Sequence, residues 1–163
     1  RENWENKLIT KIIVGLALFL AVGCSKTLIP NTGIEDTQAN RGIYNTVRAY
    51  HEAMEKRSLA EVMAHVDKAY YEDNGTVSGE DDYDRAGLEE KLGELFAKTK
   101  TLRLDLFLDT VQVSEDGTAK LNYRYEVRYQ VSYPTGDRWS VNEDKNQMHL
   151  VLNDGSWKIV SGL

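Results

Sequence analysis

Four tyrosines, Tyr123, Tyr125, Tyr129 and Tyr133, occupy odd positions of a run in which Leu121, Val127 and Val131 fill the remaining odd places. Asn122, Arg124, Glu126, Arg128, Gln130 and Ser132 hold the even ones. A period of two puts every ring on one face of a strand and every polar group on the other. Turned inward, such a face is an amphipathic wall, apolar in body with hydroxyl tips, suited to a small organic ligand or a partner's peptide. Turned outward, with Trp139 nearby, it is an interface patch. Ordinary cross-strand packing, which favours Tyr and Val, is the third reading.

Other chemistry finds little support in residue spacing. His51, His65 and His149 stand far apart, and none has a second His, Cys or carboxylate at a recognised metal-site spacing, so no metal is expected. Asp82-Tyr83-Asp84-Arg85-Ala86-Gly87 has the start of a calcium loop, but Ala86 stands where an oxygen ligand belongs and Gly93 where the bidentate Glu should be. There is no phosphate-binding Gly-Lys loop, nucleophile elbow or dinucleotide fingerprint, and no cofactor is expected. Cys24 is the single cysteine, which permits neither a disulfide framework nor a cysteine-based zinc site.

The amino-terminal stretch carries the clearest address. Arg1, Lys7 and Lys11 precede an apolar run from Ile12 to Gly23, 12 residues, too short for a helix to cross a hydrocarbon core but right for the apolar region of a secretory signal. The following Ala21-Val22-Gly23-Cys24 resembles the lipobox of bacterial lipoproteins, with Ala21 where leucine is commoner. That resemblance implies a signal peptide over 1–23 and a lipidated Cys24 as the first mature residue. Ser25 is not the Asp that retains many such proteins at the inner membrane, so the resemblance further implies the periplasmic face of the outer membrane. In a Gram-positive host it implies the outer face of the plasma membrane. The sequence opens on Arg1, not methionine, and its first residue is expected to be a truncated or misassigned start.

The first 23 residues carry three basic and two acidic side chains, so the remainder holds 17 basic against 24 acidic. With the densest run, Glu80-Asp81-Asp82-Tyr83-Asp84, acidic, nucleic acid is not an expected partner. The mature 140 residues suit one domain. Residues 24–42, with Pro30, Asn31 and Gly33, read as the lipidated cysteine and a flexible tether, and 43–163 as the folded domain.

In that domain Ile43, Val47, Tyr50 and Met54 recur as one helical stripe. Ser58-Leu59-Ala60-Glu61 reads as a capping box opening a short second helix faced by Leu59, Val62, Met63 and Val66. Ala69-Tyr70-Tyr71 and Thr76-Val77-Ser78 read as short strands around Asp73-Asn74-Gly75. A third helix is expected from a cap at Asp84, with Leu88, Leu92, Leu95 and Phe96 on one side. Beyond it lie strands: Leu102 to Leu108 with a phase shift before Val111, Leu121 to Tyr133, a strand from Trp139 to Leu152, and Trp157 to Val160. Short turns join them antiparallel.

Three helices followed by an antiparallel meander predict an α+β domain, a cone-shaped curved sheet covered by three N-terminal helices. At the opening helix Ile43 to Lys56, Ser58-Leu59-Ala60, Asn74 to Gly79 and the closing Gly155 to Gly162, the chain resembles the nuclear transport factor 2-like superfamily, with its SnoaL-like cyclases and ketosteroid isomerases. Strands this long twist and bend, which leaves a concavity between sheet and helices, and Tyr50, Met54, Phe96, Tyr125 and Tyr129 are the candidate ligand-binding residues. On the chemistry, the family resemblance implies an acid/base alternative in which Asp67 shuttles a proton and Tyr50 donates to an oxyanion. The isomerase pattern calls for a further acid on a late interior strand, and the odd face of Leu121 to Tyr133 offers none. The leading expectation is therefore a lipid-anchored envelope protein with a non-catalytic cone binding a small organic ligand or an envelope protein. The alternative is a SnoaL-like or isomerase-like enzyme. A homodimer through the sheet is a further partner expectation.

Overall fold

The computed structural model describes residues 26–163. Cys24 and the expected signal peptide over 1–23 lie outside the described residues.

Helix α1 runs Gln38–Lys56. Thr37 caps it, its hydroxyl accepting the Asn40 N–H at 3.2 Å, and Arg57 closes it in the left-handed region at φ 56°. The stripe of Ile43, Val47, Tyr50 and Met54 is its buried face. Helix α2 is Leu59–Ala64, and Val62 and Met63 are buried as its spacing predicts. The capping box does not form: the Ser58 side chain makes no cap hydrogen bond, and Glu61 turns to Lys56 at 3.2 Å. Strands β1, Tyr71–Glu72, and β2, Tyr83–Asp84, pair antiparallel. The expected strand at Thr76-Val77-Ser78 is instead a bend with Val77 fully exposed, because no neighbour pairs with it. Helix α3, Arg85–Lys98, opens at Asp84, whose carboxylate accepts the Ala86 and Gly87 N–H groups at 3.0 Å each.

Strands β3 (Thr99–Val113), β4 (Thr118–Tyr133), β5 (Gly136–Asn153) and β6 (Ser156–Ser161) form one antiparallel sheet in sequence order. A register shift between Leu108 and Thr110 is the bulge that the phase change predicts. Asp154 and Gly155 both take positive φ between β5 and β6, as a tight two-residue hairpin turn requires. Register sets the faces: Leu102, Leu104, Leu106 and Leu108 oppose Tyr129, Val127, Tyr125 and Tyr123. This leucine and tyrosine face turns toward the helices and joins Leu121, Met148, Leu150, Trp157 and Ile159 in the core with the α1 stripe. Trp139 and Val141 pair with Gln130 and Arg128 and so lie on the other, outer face, 59% and 63% exposed.

The tether expected over 24–42 is not a free linker within the described residues. Helix α1 starts before Ile43, and Ile29 and Ile34 are buried. Leu28 pairs with Glu35, Ile29 donates to the Ile34 carbonyl at 2.9 Å, and Asp36 donates to the Thr27 carbonyl at 2.7 Å. Asp36 also pairs with Arg41. Two apolar side chains around a Pro30 to Gly33 turn thus make a hook that buries itself on the domain.

Candidate functional site

The concave face of the sheet and the helices enclose a cavity of about 250 Å³. Strand alternation places Leu102, Leu104 and Leu106 of β3 and Tyr123, Tyr125, Val127 and Tyr129 of β4 along it. Helix α1 contributes Tyr50 and Met54, α3 contributes Leu95, and β5 contributes Asn146. The lining is thus apolar broken by hydroxyls and one amide. Among the described residues it includes no carboxylate side chain, imidazole, lysine or arginine.

Two kinds of tyrosine are present. Tyr123 is structural: its hydroxyl donates to the Gly162 carbonyl at 2.8 Å. Tyr50, Tyr125 and Tyr129 have no hydrogen-bond partner for their hydroxyls among the described residues, although Tyr50 is only 8% exposed. Burial, reinforced by Tyr123, Tyr83 and Tyr125, pushes the Tyr50 phenol well above its ordinary range. Burial does the same to Tyr123, and to Tyr125 together with the nearby Asp144 carboxylate. These phenols are neutral at physiological pH, so they act as hydrogen-bond donors and acceptors and not as bases.

Of the expected lining residues, Tyr50, Met54, Tyr125 and Tyr129 come together here. Phe96 does not: it packs against the core, and its neighbour Leu95 faces the cavity. Asp67 is also elsewhere. It opens onto a separate cavity of about 550 Å³ with Lys68, Arg85 and Lys158. There it accepts the Ala69 N–H at 2.9 Å and the Asn153 amide at 3.2 Å, and these bonds, the Ala69 one foremost, hold its carboxyl below the ordinary range. Its own N–H donates to the Ile159 carbonyl at 2.8 Å. Asp67 therefore fastens the end of α2 to β6, and the pairing of Asp67 with Tyr50 in one site is corrected.

Sequence reasoning missed Asn146 and Asp144. The parity of β5 contains the signal, since the buried Met148 and Leu150 put Asn146 and Asp144 on the same inward face. The histidines stay apart. His51 Nε2 meets the Leu104 carbonyl, His149 meets the Gln147 side chain at 2.8 Å, and half-buried His65 sits at the end of α2. No cluster of three potential metal ligands occurs among the described residues.

An open, curved antiparallel sheet under three helices is the α+β cone of nuclear transport factor 2-like proteins. Three solved structures illustrate the likeness. A ketosteroid isomerase-like protein from Erwinia carotovora atroseptica is 17% identical with a TM-score of 0.63, over 77% of this chain and 94% of that one. A protein of the NTF2-like family from Streptomyces avermitilis, provisionally named a dehydratase, is 14% identical with a TM-score of 0.63, over 76% and 93%. An NTF2-like protein of unknown function from Shewanella oneidensis is 10% identical with a TM-score of 0.57, over 76% and 95%. At these identities the likeness is one of fold. No protein-family model matches the sequence, and no curated protein matches it.

Proposed function

We propose that this chain is a cell-envelope lipoprotein whose cone domain binds a small, largely apolar organic ligand without transforming it. The observation that carries the binding half is the cavity itself: apolar walls with three unpartnered phenol hydroxyls and, among the described residues, no carboxylate, imidazole, lysine or arginine side chain in its lining. The anchoring half rests on the basic start, the short apolar run and the Gly23-Cys24 junction. Ser25 favours the periplasmic face of the outer membrane. Firm attachment needs more than one acyl chain, as lipoproteins carry.

Two measurements test it. Cys24→Ser should give an unprocessed protein or one released to the soluble fraction; normal processing with full membrane retention defeats the anchor. Native mass spectrometry of the purified protein should show a bound small molecule that is lost in Tyr50→Trp, which fills the cavity. The isomerase-like and dehydratase labels of the fold neighbours favour a second reading, an acid/base enzyme. Turnover of a small organic substrate that survives cavity binding but falls in Tyr50→Phe would select it.

A further inference from the structure

The cone does not end at its apolar lining. Tyr125, Asn146 and Leu163 also line a polar groove of about 650 Å³, so the groove adjoins the cavity, and we take it as the vestibule. Glu72, Asp73 and Asp144 line this vestibule. Asp144 is the cross-strand partner of Tyr125 and lies on the same face of the sheet.

These carboxylates differ in how fully they are engaged. Glu72 accepts the Gly162 N–H at 2.5 Å and the Asn74 N–H at 3.3 Å, and Asp73 accepts the Gly75 N–H at 2.9 Å. Asp144 accepts only its neighbour Lys145 N–H, at 2.7 Å through Oδ1, which leaves Oδ2 without a partner among the described residues. Lys145 and His149 border the groove as well. Lys145 is the cross-strand neighbour of Arg124 and the His149 ring is held by Gln147, so three carboxylates stand against one lysine in the groove, which is net negative.

A ligand that enters this site meets negative charge at the mouth and aromatic faces inside. An anion would lose its hydration against a lining that offers no cationic side chain to replace it. A cation gains twice, from the ring quadrupoles and from the carboxylate field. We propose that the cone takes an amphipathic organic cation, an amine with an apolar or aromatic body, the body lying among Tyr50, Tyr123, Tyr125 and Tyr129 and the ammonium facing Asp144. This rests on the reading of the cone as a ligand site and adds the charge class of the ligand.

Calorimetric titration of the purified protein with 4-phenylbutylamine, 4-phenylbutanol and 4-phenylbutyrate separates the two claims. The amine is expected to bind roughly 10-fold more tightly than the alcohol, with the carboxylate weakest. Asp144→Asn, an exposed position, should bring the amine down to the level of the alcohol and leave the alcohol unchanged. An alcohol that binds as tightly as the amine, or an amine preference that survives Asp144→Asn, overturns the cationic class while the cone stands as a ligand site. Failure of all three probes to bind removes the ligand site, and the cationic class with it.

Discussion

Glu55 accepts the backbone N–H of Leu104 across 3.2 Å, so a side chain of α1 occupies the outer edge of β3. His51 meets the carbonyl of the same residue, and Arg57 donates to the Thr99 carbonyl. β3 is an edge strand of the sheet, and these contacts fill pairing positions that another chain could otherwise use. Glu55→Ala should cost about 1–2 kcal/mol in urea unfolding, because the Leu104 N–H is left unpaired. Glu55→Gln keeps an acceptor oxygen and should restore most of it. An alanine variant as stable as the parent would show that the bond contributes nothing.

Helix α1 packs on β6 through a glycine. A Cβ at Gly42 would stand 2.8 Å from Trp157 Cδ1, and Trp157 is buried. In an exposed helix Gly→Ala gains up to about 1 kcal/mol of propensity, whereas overpacking a core typically costs about 1–3 kcal/mol. The steric effect should win, so Gly42→Ala is expected to lower the melting temperature and to shift Trp157 fluorescence. A higher melting temperature would mean that the indole moves aside freely.

Gly162 is constrained from two sides. Its φ is +90°, and a Cβ there would lie 2.2 Å from the Gln147 carbonyl oxygen. Its carbonyl also receives the Tyr123 hydroxyl, which borders the cavity. Gly162→Ala should therefore destabilise by about 2 kcal/mol or more and weaken ligand binding, both read in one thermal-shift series with and without ligand. A variant with unchanged stability would contradict the close packing of this segment on β5.

Acid stability should carry two separable steps. The Asp67 carboxyl is held down chiefly by the Ala69 N–H, so its contribution is whole above the unfolded carboxyl value of about 4 and is lost as pH falls through the lower folded value. Burial, then Lys158, lowers the His65 imidazole. The folded state thus resists its protonation, and stability drops as pH falls below the unfolded value of about 6.5. Urea midpoints measured across this range should lose the lower step in Asp67→Asn and the upper one in His65→Gln. Profiles superimposable on the parent would refute both assignments.

Much of the architecture was legible because its signals are periodic. The alternation from Leu121 to Tyr133 specifies a face, and the register with Leu102 to Leu108 shows that face turned inward. The near half of β5 was harder. Its inward positions Ser140, Asn142, Asp144 and Asn146 are all polar, the last two lining the groove, so no apolar rhythm marks them. The amino-terminal hook was illegible for a different reason: Ile29 and Ile34 meet through a turn, and two apolar residues five apart fit neither a helical nor a strand period. Phe96 and Leu95 show the limit of helical spacing, since both suit the same stripe and only packing decides which one reaches the cavity.

The hook that ties Thr27 to Asp36 has a mechanical consequence for a molecule moored at Cys24. Only Ser25 and Lys26 lie between the two points, a reach of about 10 Å even for a fully drawn-out chain. Such a molecule cannot sweep the space between envelope layers. On the proposed anchor, the domain is therefore held against the bilayer surface by its hook rather than swinging on a leash.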